Sequence, residues 1–92
     1  MTDILDRSLS PSPDAATSAV GDETVILNLV NGTYYGLDPV GTRIWEMLQD
    51  GTASGEICRT LAAEYMVDLA TIEADTRKFL GELEAQGILV GD

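Results

Sequence analysis

The sequence predicts a small α+β domain of winged helix-turn-helix type, with a three-stranded antiparallel sheet followed by three helices (β-β-β-α-α-α). Three observations predict it. Residues 25–37, VILNLVNGTYYGL, place two β-prone runs around an Asn31-Gly32 turn. Downstream, apolar residues recur at helical spacing in three separate segments. Those segments are punctuated by Asp38-Pro39, Asp50-Gly51, Asp68 and Gly87, which start or stop helices for identifiable reasons.

Residues 1–14, MTDILDRSLSPSPD, mix serine, proline and aspartate and read as a disordered tail. The folded domain is therefore expected over residues 15–92. Residues 15–20 are weakly apolar and read as a first strand, and Gly21-Asp22 as a turn. In the hairpin, a two-residue turn at Asn31-Gly32 puts Leu27, Leu29 and Tyr34 on one face and Ile26, Tyr35 and Leu37 on the other. A three-residue loop (Val30, Asn31, Gly32) opposes Leu29 to Thr33 instead. It gathers Val25, Leu27, Leu29, Tyr35 and Leu37 on one face, with Tyr34 on the other. One buried face is the cheaper arrangement, so the three-residue loop with a left-handed Gly32 is expected.

Asp38 suits the N-cap of the first helix and Pro39 its first turn, where an N–H has no partner to lose. Val40, Ile44, Met47 and Leu48 then recur at helical spacing beside Trp45, and Asp50-Gly51 ends the helix. A second helix is expected over residues 54–66, with Thr52 or Ser54 as its cap and Ile57, Cys58, Leu61, Ala62 and Tyr65 on one face. Asp68 opens a third, whose stripe is Leu69, Ile72, Thr76, Phe79, Leu80 and Leu83. Val67 and Ile72 stand where a hydrophobic staple would put them. Gly87 stops the third helix, and Ile88-Leu89-Val90 folds back onto the core. The last two helices and their turn resemble a helix-turn-helix, with the hairpin as a wing placed before it.

Composition removes several functions. Sixteen acidic residues against five basic ones leave a net charge of −11, which repels nucleic-acid phosphates and anionic lipid. The third helix offers Arg77 and Lys78 against Asp68, Glu73, Asp75, Glu82 and Glu84, a poor set for a DNA-reading helix. The chain has no histidine, so histidine triads and histidine metal sites are out of reach. Cys58 lies on an apolar helix face with nothing to activate it and reads as a buried structural thiol. No Asp-rich calcium loop is present. No serine sits in the attachment context of a phosphopantetheine carrier. Neither a secretory signal nor a spanning apolar run appears, and one cysteine makes no internal disulfide, so a cytoplasmic address is expected. No catalytic residue, metal or cofactor is expected.

What remains is an edge. A short sheet leaves strands unpaired on one side, and residues 33–37 carry none of the lysine, proline or inward charge that guards an edge. Such an edge accepts an extended peptide as an added strand. The third helix beside it would form the second wall of a groove.

The hairpin (Glu23 to Leu29, Gly32 to Asp38), the helix from Gly41 to Leu48 with its Asp50-Gly51 stop, Ile57 to Tyr65, Asp75, Phe79-Leu80, Leu83 and Gly87-Ile88-Leu89 together resemble the PqqD-like proteins over residues 20–90. The resemblance implies a peptide-recognition element for ribosomally made, post-translationally modified peptides. Such elements bind the leader segment of a precursor by strand addition to the third strand and present it to a modifying enzyme. The run Tyr34-Tyr35-Gly36-Leu37-Asp38-Pro39-Val40-Gly41 is most similar to the stand-alone lasso-peptide group. Carried over by position, the leader would meet Thr33, Tyr34, Tyr35, Gly36 and Leu37 on the strand, and Asp75, Phe79 and Glu82 on the third helix. The opposite helix flank, Glu73, Arg77 and Leu80, stays open as an alternative. The implied partners are a precursor leader and its leader peptidase, cyclase or radical enzyme, with neither nucleic acid nor membrane. The rival reading is a winged-helix regulator or a protein-interaction adaptor.

Overall fold

The computed structural model describes residues 3–21 and 23–91; Asp22, half of the expected Gly21-Asp22 turn, and the extreme ends lie outside them. The strands are β1 (Leu9–Pro11), β2 (Ala15–Val20), β3 (Glu23–Asn28), β4 (Tyr34–Leu37) and β5 (Leu89–Gly91). The helices are α1 (Pro39–Gln49), α2 (Ser54–Tyr65) and α3 (Leu69–Ala85), and a 3-10 turn covers Ile4–Asp6. The expected antiparallel sheet is present in the order β2-β3-β4, so β4 is an edge. A second sheet pairs β1 with β5.

Residues 3–14 differ from the expected disordered tail. Leu5 and Leu9 are buried in the core, and β1 pairs antiparallel with β5, Ser10 opposite Val90. Ser12 N–H donates to the Ile88 carbonyl at 2.8 Å. Arg7 holds Glu84 through two nitrogens at 2.9 and 2.6 Å, and Arg77 holds Asp3 at 2.8 Å. Local composition carried none of this, because the strand and ion-pair partners, Arg77, Glu84 and β5, lie at the far end of the chain. The tuck of Ile88 and Leu89 onto the core is as expected.

The hairpin takes neither register weighed from sequence. Leu27 faces Tyr34, Ile26 faces Tyr35 and Val25 faces Gly36, so Asn28 stands opposite Thr33, its N–H donating to the Thr33 carbonyl at 2.8 Å. The loop therefore has four residues. This one-residue slip from the expected pairing puts Ile26 and Asn28 inside and leaves Leu29 exposed. The cause is a buried polar side chain. Asn28 Nδ2 donates to the Gln86 carbonyl at 2.7 Å, and its Oδ1 accepts from Val30 N–H at 2.9 Å. A rule that places only apolar residues inside mis-sorts such a residue. Gly32 is left-handed as expected, with φ +72°. Tyr35 and Leu37 face in and Tyr34 faces out, also as expected.

The helix boundaries follow their signals. Asp38 Oδ1 accepts from Gly41 N–H at 2.7 Å, and Gly51 and Gly87 are left-handed where helices end. Neither Thr52 nor Ser54 caps α2; Ala53 does, without a side-chain bond, and the buried Ser54 is the first helical residue. The core joins Ile26, Leu37, Ile44, Trp45, Leu48, Ile57, Cys58, Leu61, Leu80, Leu83, Ile88 and Leu89. Trp45 Nε1 reaches Thr17 Oγ1 at 2.9 Å, which fastens α1 under β2. Cys58 is buried, and desolvation pushes its thiol up, away from the reactive thiolate.

Candidate peptide-binding groove

A groove runs between the β4 edge and α3, lined by Tyr35, Gly36, Leu37, Asp38, Asp75, Lys78, Phe79 and Glu82. Its two walls run in opposite directions, since Tyr35 meets Phe79 and Glu82 while Leu37 and Asp38 sit toward Asp75. Four strand residues and two turns of helix both span roughly 10 Å. At the Asp75 end the groove opens into an apolar pit of about 270 Å³ lined by Val40, Gly41, Ile44, Leu61, Ile72, Thr76 and Phe79. That is below the roughly 300–1,000 Å³ of a pocket that encloses a small molecule. A pit of this size joined to an open trench suits one side chain of an extended guest.

The strand wall follows from the ladder. Antiparallel pairing alternates residues that bond inward with residues that bond outward. Asn28 bonds Thr33, so Tyr35 and Leu37 also direct their N–H and C=O groups to β3. Tyr34 and Gly36 direct theirs to the open edge. The Thr33 N–H is occupied by Asn31 Oδ1 at 3.0 Å, and the Thr33 hydroxyl also bonds that oxygen.

The helix wall is fixed by Phe79 and Glu82. Phe79 packs edge-on to Tyr35, ring centroids 6.3 Å apart at 63°. It also lies over the first turn of α1, where a Cβ on Gly41 would come within 3.3 Å of the ring. The Tyr35 hydroxyl donates to Glu82 Oε2 at 2.6 Å, bridging the walls. Burial of the phenol, then the bond and charge of Glu82, push its pKa up to about 12.

Of the residues singled out from sequence, Tyr35, Gly36, Leu37, Asp75, Phe79 and Glu82 come together here. Thr33 stands just after the turn, before β4 and outside the lining, and the Tyr34 side chain stands exposed on the other face of the sheet. The alternative flank of α3 is turned away: Leu80 is in the core and Arg77 is tied to Asp3. Sequence reading missed Asp38 and Lys78 in the lining and Val40, Ile44 and Ile72 in the pit. In the sequence Asp38 reads as a helix cap, Lys78 as one of two cations on the third helix, and Val40, Ile44 and Ile72 as residues of apolar stripes. Among the described residues no group of His, Cys, Asp or Glu is placed to hold a metal ion, and no helix is long and apolar enough to cross a membrane.

The model for coenzyme PQQ synthesis protein D (PqqD) matches residues 23–89. Among solved structures, TbiB1 in complex with the TbiA(beta) leader peptide is 42% identical, covers 90% of this chain and 96% of its own, and superposes with a TM-score of 0.84. A lasso peptide synthetase B1 complexed with its leader peptide has the same fold at 22% identity and a TM-score of 0.84, covering 90% of this chain and 98% of its own. No curated protein matches the chain.

Proposed function

The chain belongs to the PqqD family, and from that premise we propose that it binds the leader segment of a ribosomally made precursor peptide, without catalysis, and delivers it to a modifying enzyme or leader peptidase. The leader adds as a strand to β4 and is held from the side by Asp75, Phe79 and Glu82 of α3. The observation that carries this reading is the open edge itself. Tyr34 and Gly36 offer two N–H and two C=O groups beside a helix wall with an apolar pit at its end. The relatives that share the fold are both described as leader-peptide complexes, one of them at 42% identity. Backbone pairing gives affinity with little selectivity, so specificity belongs to the pit and the charged rim. Delivery raises the local concentration of precursor at the enzyme, which requires no chemistry from this chain.

Gly36→Pro tests the reading. Proline removes an N–H that faces the open edge and leaves the β3 ladder intact. Calorimetric titration with a leader peptide that the parent chain binds, the TbiA(beta) leader being the first probe, should show affinity lowered about tenfold or more, from a lost bond and a steric block. Circular dichroism should show a folded protein. Undiminished binding by folded Gly36→Pro would rule out strand addition at β4.

A further inference from the structure

The groove has an electrical bias. Asp38, Asp75 and Glu82 line it against one cation, Lys78, on a chain of net charge −11. Two of the three carboxylates are already engaged, Glu82 by the Tyr35 hydroxyl and Asp38 by the α1 N-terminus. The Asp75 carboxylate makes no hydrogen bond or ion pair among the described residues. It also stands at the junction, lining both the strand groove and the apolar pit. A carboxylate beside an apolar wall attracts a cation more strongly than one in open water, and it repels an anion by the same amount. The acidic surface around it steers cationic guests and slows acidic ones.

We infer that Asp75 selects the guest: the groove takes an extended peptide that seats a large apolar side chain in the pit of Val40, Ile44, Ile72 and Phe79 and sets a neighbouring Lys or Arg against Asp75. This deepens the peptide-binding reading and rests on it. Exclusion is part of the selection, because a guest with Asp or Glu at that position brings like charges together.

The test is a display selection of randomised linear peptides on the immobilised full chain, run in parallel on the Gly36→Pro variant. Peptides retained by the parent and lost with Gly36→Pro should be enriched in Lys or Arg next to a large apolar residue. A synthetic peptide of that consensus should lose about two- to fivefold in affinity when its cation becomes Gln. Asp75→Asn should cost a similar factor with the cationic peptide and nothing further with the Gln peptide, which is the signature of a direct pair. Added salt should shrink the difference. Peptides that are sensitive to Gly36→Pro but lack cation enrichment, or that ignore Asp75→Asn, overturn the inference and leave the β4 docking edge standing. If no retained peptide is sensitive to Gly36→Pro, the docking edge fails and the inference with it.

Discussion

Tyr35 joins the two walls of the groove through one hydroxyl, 2.6 Å from Glu82. Its folded pKa, about 12, lies above the ordinary 10.0. The stabilisation is therefore complete below the unfolded value and is lost as pH rises through the folded one. Ultraviolet titration should show one phenol still protonated well above pH 10 and ionising near 12, and Tyr35→Phe should remove that transition. Asn28 is the second decisive residue. Its side chain ties the hairpin to the C-terminal end of α3, next to Gly87, whose conformation at φ +75° only glycine takes readily. Asn28→Ala leaves the Gln86 carbonyl and the Val30 N–H without their partner, so denaturant unfolding should report a loss of about 1–3 kcal/mol. Asn28 also explains why the hairpin register was not legible. Apolar alternation sorts Val25, Leu27 and Leu29 together, and only the distant Gln86 carbonyl makes an inward asparagine favourable.

At the scale of elements, helix starts and stops were readable because their chemistry is local. Asp38, Pro39, Gly51 and Gly87 act within a turn of where they stand. The N-terminal segment was unreadable for the opposite reason. Arg7 and Glu84 are 77 positions apart, and Asp3 and Arg77 are 74 apart. Leu9→Ala should destabilise the fold by about 2–5 kcal/mol, the range for a buried leucine, where a disordered tail would give no effect. The Arg7 guanidinium holds the Glu84 carboxyl below its ordinary 4.5. Its contribution is present above that value and fades as pH falls through the folded one. Thermal melts of Glu84→Gln should show the variant less stable at neutral pH, by up to about 1 kcal/mol after solvent screening, with the gap closing in acid. These contacts brace the back of α3 while its front flank lines the groove.

Across the whole molecule, the fold class, the open edge and the strand-helix groove were all legible. The hairpin signal, the helical periodicities and the absence of edge guards each follow from local sequence. The pit was not legible, since Val40, Ile44 and Ile72 meet Phe79 only once α1 and α3 are packed. The acidity was visible as a total and Asp75 as a residue of the helix wall, but its position at the mouth of the pit needed the fold. The central claim, that a guest strand completes the sheet at β4, has a direct reading in amide hydrogen exchange by NMR. The isotope-labelled chain would be measured with and without the leader peptide used for the calorimetry. The Tyr34 and Gly36 amides should exchange freely alone and become protected on binding, with cross-strand contacts to the leader backbone. Protection confined to β2, or leader binding that leaves Tyr34 and Gly36 exchanging as before, would contradict the account.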